Sequence, residues 1–129
     1  MSKRSNGMEV LVFANPMDVS KERFFQKITK VPAFSPKFVL ERSRFKSLLM
    51  QRTWDLRVIV FFAYDQDDLT MALSLKEYLT CARVIMVLHK IDAKTVQQGL
   101  SISPCFMTCA KSDFSDIMAV LEKISSLKN

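Results

Sequence analysis

Three acids stand close together in the middle of the chain: Asp65, Asp67 and Asp68. They follow directly on an apolar run, Leu56 to Ala63, that is rich in β-branched and aromatic residues. A run this short and this apolar reads as a strand buried on both faces. In open α/β sheets, ligands sit in the crevice beyond the carboxyl ends of the strands. Carboxylates at that place could hold a divalent cation, since hard cations take oxygen ligands. Asn15, after the first apolar run, could add an oxygen, and His89, after the fourth, a nitrogen. Asn15, Asp65, Asp67 and His89 thus make one candidate ligand crevice. The plainer reading is a solvated turn with Asp67 or Asp68 capping the helix that follows, where the helix dipole favours negative charge. His89 could also act as an acid or base, but the sequence places no nucleophile beside it, and a surface role is the plainer reading.

Other site chemistries find less support. Cys105 and Cys109 lie four apart, but a structural zinc needs four Cys or His ligands. Only Cys81 and the lone His89 could complete such a set, and both fall on other elements. Buried reduced thiols are the expectation, and no metal is assigned. With Gly7 and Gly99 the only glycines, neither a GxxxxGK[ST] loop nor a GxGxxG turn can be built. A flavin site would need a hydroxyl- or Gly-rich loop after the first strand, and Asn15-Pro16-Met17-Asp18-Val19-Ser20 is a poor version of one. No cofactor is expected.

Charge is uneven. The chain carries a net +6. Residues 21–57 hold ten Lys and Arg against Glu22, Glu41 and Asp55, whereas residues 58–129 hold seven against eight acids. A basic first half could serve an acidic partner or nucleic acid. No nucleic-acid motif accompanies it, and a mixed solvated surface is preferred. No apolar stretch reaches the roughly 18–20 residues that cross a bilayer. The polar start, Met1-Ser2-Lys3-Arg4-Ser5-Asn6-Gly7, is followed by no apolar signal core. A cytoplasmic protein without membrane attachment is expected.

The elements that must position these residues alternate. Val10–Ala14 is a short buried strand, stopped by Asn15-Pro16. Asp18 or Ser20 can cap a helix to about Thr29, with Phe24, Phe25 and Ile28 inward. Val31-Pro32 ends it. Phe38–Leu40 reads as a weak edge strand. Ser43 then caps a helix with Phe45, Leu48 and Leu49 on one face. Leu56–Ala63 comes third, followed by a helix to about Thr80. Val84–Leu88 is the fourth strand. Asp92 starts a short helix through Gln98, with Gly99 as its stop. Cys105–Cys109 is the fifth strand. Asp113 and Asp116 resemble a capping box for a last helix bearing Phe114, Ile117, Met118, Leu121, Ile124 and Leu127. With 49% apolar residues in 129, one globular domain is expected over residues 8–129, after a disordered or extended 1–7.

Five strand–helix units with short loops predict a parallel sheet with helices on both faces, a three-layer sandwich. The flavodoxin-like order 2-1-3-4-5 puts the most polar strand, the second, at an edge and the apolar third at the centre.

This succession resembles the receiver domain of two-component response regulators, over about Met8 to Leu127. The resemblance is carried by Phe38 to Val60, including the Asp55-Leu56 pair, by Val84-Ile85-Met86, by Thr95 to Leu100, and by Phe106-Met107-Thr108 before an Asp-led helix. It implies a bacterial signalling module that binds a protein partner around the last two helices and fifth strand, and that can form homodimers. It also implies a phosphorylation site, which this chain does not fill. Receivers carry an acidic pair ending the first strand, and here stand Ala14 and Asn15. An ungapped match puts Val60 at the phosphoacceptor Asp. Leu88 falls where Ser or Thr ends strand four. Lys111 stands nearest the Lys-Pro of strand five, one residue displaced and with no Pro. Phe106 keeps the aromatic of strand five. Phosphoryl transfer needs a nucleophilic carboxylate and Mg²⁺, so the resemblance implies a pseudo-receiver without catalysis.

Overall fold

The computed structural model describes residues 7–51, 58–80 and 82–127. Asp55, Leu56 and Cys81 lie outside them. The elements run β1 (Met8–Phe13), α1 (Lys21–Ile28), β2 (Phe34–Val39), α2 (Arg42–Met50), β3 (Val58–Ala63), α3 (Gln66–Ser74), α4 (Lys76–Leu79), β4 (Arg83–Leu88), α5 (Ala93–Leu100), β5 (Phe106–Cys109) and α6 (Ser115–Ser126). All strand pairs are parallel, in the order β2-β1-β3-β4-β5. The expected flavodoxin-like sheet is therefore present.

Alternation along the strands divides the core in two. Val10, Val12, Val58, Val60, Phe62, Ile85 and Val87 face α1 and α6, whose Phe24, Ile28, Ile117, Leu121 and Ile124 cover them. Leu11, Phe13, Ile59, Phe61, Met86 and Leu88 face α2, α3 and α4. Every residue of β3 is buried, which is why the run has no polar alternation. Each layer has an aromatic centre. Phe24, Phe62 and Phe114 meet with ring centroids 5.6–6.0 Å apart. Phe13, Phe45 and Phe61 meet at 4.9–5.4 Å. Burial of each such ring contributes about 1.5–3 kcal/mol.

Several boundaries differ from the sequence reading. β2 begins four residues early, at Phe34, and contains Pro36. An edge strand tolerates Pro because one side of it makes no ladder. α2 starts at Arg42 without a side-chain cap, so Ser43 is not its cap. α3 is capped by Asp65, whose side chain accepts from the Asp68 amide, rather than by Asp67 or Asp68. The expected helix to Thr80 breaks at Leu75. There the Leu75 amide reaches both the Met71 and Ala72 carbonyls, and the Ser74 hydroxyl donates to Met71 as well. Such side-chain back-bonding bends helices, and the break brings both Leu75 and Leu79 into the core.

Gly99 is no stop. It lies inside α5 and is buried, where a Cβ would stand 3.1 Å from Met107 Sδ. The last helix lacks a capping box too. Asp113 accepts from the Ser115 amide and hydroxyl, while Asp116 accepts from Thr108 and Ser112. Phe114 takes the left-handed conformation, φ 68°, costing on the order of 1–2 kcal/mol. Its complete burial against Phe24 and Phe62 offsets that. Leu127 is exposed rather than part of the apolar stripe.

Candidate functional site

The ladder registers fix which residues reach the rim at the carboxyl ends of the strands. Ala63 pairs with Leu88, and Leu88 with Cys109. These three end their strands at one level. Val60 pairs with Val12 and Ile85, three residues lower, and is fully buried. The residue at the rim is Ala63, which like Val60 has no carboxylate. Phe106 pairs with Ile85, below the rim and half-buried. Ala14 is buried, its amide bonded to the Val39 carbonyl. Asn15 turns its side-chain oxygen onto the Met17 amide. Lys111 is exposed in the loop after β5.

Two side-chain networks cross this rim. In the first, Asp18 is completely buried in the loop after β1. One of its oxygens accepts from the amide and hydroxyl of Ser20. The other lies 2.9 Å from His89 Nε2, off the line of a hydrogen bond, and both atoms are closed off from solvent. The contact is one of packing and, when the imidazole carries both protons, of charge. The His89 ring stands edge-on to Tyr64, at 5.1 Å. Lys21 Nζ, also buried, donates to the carbonyls of Pro16 and Asp18. Because β3 lies between β1 and β4 in the sheet, the Asp18–His89 contact passes over the end of β3. It covers the β1/β3 position, where strand order reverses and where such folds place ligands.

In the second network, Arg42 Nε donates to Asp68 at 2.8 Å and its Nη2 to Asp65 at 3.3 Å. Asp68 is completely buried and its other oxygen accepts from the Tyr64 amide. The bond to Asp68 pushes the Arg42 pKa above its ordinary value, against a smaller opposing effect of burial. The guanidinium therefore stays charged and fixes the β3–α3 turn to α2.

The four residues expected to share one crevice are separated. Asp65 and His89 line a cleft of about 500 Å³ with Ala63, Tyr64, Leu69, Lys90, Lys94 and Thr95. Asn15 lines another, of about 380 Å³, with Phe13, Leu40, Glu41 and Arg42. Asp67 lines neither and is exposed on the first turn of α3. Among the described residues no three His, Cys, Asp or Glu side chains converge as a metal set. Asp92, also on the first cleft, caps α5. The Thr95 amide, then its hydroxyl, hold the Asp92 carboxyl below its ordinary range.

Among the described residues the basic first half does not make one face either. α1 packs on one layer and α2 on the other. Arg23 donates to the Ala110 and Ser112 carbonyls and lies over the Phe114 ring. Lys21 and Arg42 are engaged as above. Cys105 is exposed and Cys109 half-buried, not the buried thiols expected; desolvation of the Cys105 thiol still raises its pKa, which disfavours the thiolate.

Sequence reasoning took Asp18 only as a helix cap and gave Arg42 no role. The Asp-x-Ser spacing of Asp18 and Ser20 signals a local turn. Nothing local signals that Asp18 meets a histidine 71 positions later, and only the strand order brings them together.

No family model and no curated protein matches the chain. Solved structures do. The signal receiver domain of an HD domain-containing protein from Pseudomonas fluorescens Pf-5 matches with a TM-score of 0.76 at 12% identity, over 98% of this chain and 92% of that one. A Burkholderia pseudomallei response regulator, solved with a phosphorylated aspartic acid, a calcium ion and citrate, matches at 0.69 and 12% identity over 92% and 69%. A pilus assembly-related protein from the same species matches at 0.69 and 8% identity over 98% and 95%. At such identities the likeness is one of fold, and the fold is that of receiver domains.

Proposed function

We propose that this receiver-fold chain, one domain over residues 8–129, is a pseudo-receiver: a non-catalytic, cytoplasmic protein-interaction module of bacterial signalling. The observation that carries this reading is the rim row Ala63, Leu88 and Cys109, level in the sheet and without a carboxylate. The acids nearest it are engaged through at least one oxygen, Asp18 on Ser20, Asp65 and Asp68 on Arg42 and Asp92 on Thr95, and Asp67 is exposed on α3. An aspartyl acceptor and a Mg²⁺ site both need free carboxylate oxygens. The partner face would be β5 with α5 and α6, where β5 is a half-buried edge strand and Leu100 is exposed. The same face would serve a homodimer.

The test is incubation with a small phosphodonor such as acetyl phosphate and Mg²⁺, read by intact mass. An unchanged mass is expected. A phosphorylated species, located to Asp65 or Asp67 by peptide mapping, would overturn the reading.

A second reading, a small-ligand sensor, is favoured by the cleft that brings Asp65 and His89 together. Its size suits a small molecule. A thermal-shift screen against small metabolites tests it, because a ligand selective for the folded state raises the melting point. The nucleic-acid reading has the dispersed placement of α1 and α2 against it, and absence of salt-dependent DNA or RNA binding would dismiss it.

A further inference from the structure

The cleft of about 500 Å³ beyond the ends of β3 and β4 is aliphatic at its deepest lining, where Ala63 and Leu69 are buried. Tyr64 and His89 line it with two rings, edge-on to each other at 5.1 Å. The imidazole is oriented from its far side. Its Nε2 is closed off from solvent against Asp18, so the 26% of the side chain that stays exposed belongs to its other atoms. Each core layer of this protein is centred on three rings, Phe24, Phe62 and Phe114 in one and Phe13, Phe45 and Phe61 in the other. At the rim, Tyr64 and His89 make a pair beside an open cleft.

The charged groups of the lining balance. Asp65 and Asp92 stand against Lys90 and Lys94, and all four are exposed. An anion or a cation entering the cleft would be favoured by one pair and opposed by the other, and either would lose hydration over Ala63 and Leu69. The uncharged Gln66 differs from these four. Its amide nitrogen reaches Thr70 and Gln98 only at 3.4 Å each, and a carboxamide offers both donors and an acceptor. The lining thus selects for a ring by its walls, against net charge by its balance, and for a neutral polar group by Gln66.

Resting on the small-ligand reading of this cleft, we propose that its ligand is an uncharged planar aromatic ring with a neutral hydrogen-bonding group on its edge. The ring would stand as the third beside Tyr64 and His89, over Ala63 and Leu69, and its polar edge would meet the Gln66 carboxamide. Aromatic pairs in offset or edge-on contact gain more than their buried area alone supplies. A saturated ring of the same size lacks that gain, and a charged ring of the same size meets the balanced rim.

The test is an amide-shift titration of the whole chain with probes of one size: benzamide, cyclohexanecarboxamide, benzoate and benzamidinium. Benzamide at up to about 10 mM, a range open to so small a ligand, should shift amides of 63–66, 69 and 89–95. The saturated probe and both charged ones should each bind at least about fivefold more weakly. Tyr64→Leu should bring benzamide down to the level of cyclohexanecarboxamide. Gln66→Leu, at an exposed position on the first turn of α3 where the fold does not depend on it, should weaken benzamide by a similar factor. Equal binding of the saturated probe or of either charged one would overturn the proposal. So would shifts that map elsewhere, no shift by benzamide, or an affinity for benzamide unchanged by both substitutions. A metabolite of another class that shifts the same amides would then leave the sensor reading standing, whereas a screen without any such metabolite would end both.

Discussion

Truncating Asp18 tests whether the loop after β1 is fastened over the sheet. Asp18 is fully buried, and one oxygen receives both the amide and the hydroxyl of Ser20, itself buried. Hydrogen bonds to a charged group contribute about 1.5–3 kcal/mol each. The two share one acceptor atom, and removal of the carboxylate also removes its own desolvation cost. Asp18→Ala should therefore cost about 2–4 kcal/mol, chiefly through the orphaned donors of Ser20. Asp18→Asn keeps the acceptor oxygen and should cost about 1 kcal/mol. Met17→Ala, one residue away but exposed, should stay within about 0.5 kcal/mol. The assay is urea unfolding followed by far-ultraviolet circular dichroism. With an m-value of about 1–3 kcal/mol/M, Asp18→Ala should lower the midpoint by on the order of 1–2 M. A cycle with His89→Ala should show coupling above about 0.5 kcal/mol, as expected of residues in contact. If Asp18→Ala falls within the range of Met17→Ala, or the cycle is additive, the loop is not fastened as described.

Arg42→Met should destabilise by about 1.5–3 kcal/mol, because it leaves Asp68 buried with only the Tyr64 amide; Arg42 is half exposed, which keeps the loss below the ~3–5 kcal/mol of a fully buried pair. Arg44→Met, by contrast, should be nearly neutral in the same urea titration, and equal effects would refute the Arg42–Asp68 assignment. Asp92 and Asp113 are held below the ordinary carboxyl range by the Thr95 and Ser115 amides, with smaller help from the hydroxyls. Their folded pKa values lie below the unfolded ones, so their stabilisation is complete above about pH 4 and is lost as pH falls through the folded values. The melting-point gap between wild type and D92N/D113N should thus be widest near neutral pH and close below about pH 4; a gap that widens on acidification would reverse the sign. Gly99→Ala should gain up to about 1 kcal/mol of helix propensity, offset by the push on the flexible Met107 side chain at 3.1 Å. A melting point lowered by many degrees would show that Met107 cannot yield.

The fold was readable because its cause is local and repeated. Apolar runs of Val10–Phe13, Val58–Ala63 and Val84–Leu88 name the central strands, and the polar flanks of the second strand place it at an edge. The boundaries that moved are those set by a single tertiary contact. β2 extends through Pro36 because Val10 pairs with it. Gly99 stays helical because Leu88 and Met107 lie against it. The site was less readable for the same reason. Asp65, Asp67 and Asp68 look alike in sequence. One caps α3, one is exposed on its first turn and one is buried under Arg42, and the difference comes from α2 crossing nearby. An ungapped match puts Val60 at the phosphoacceptor position, and the register sets the rim three residues beyond it, at Ala63.

That register also says what a carboxylate introduced at the rim would meet. A carboxylate substituted at Ala63 would stand at the rim, level with Leu88. It would still meet no cation-binding partner at the end of β1, where Ala14 is buried and the Asn15 oxygen is held by the Met17 amide. Asp18, the one acid in that loop, is turned away onto Ser20 and His89. A lone carboxylate in this buried place would favour its neutral form, which is neither a nucleophile nor a Mg²⁺ ligand. One substitution at Ala63 would therefore not supply the ionised carboxylate and bound cation that phosphoryl transfer needs. The loops after β1 and β3 would have to change as well, since Asp18 is held on Ser20 and the β3–α3 turn is held by Arg42 on Asp65 and Asp68.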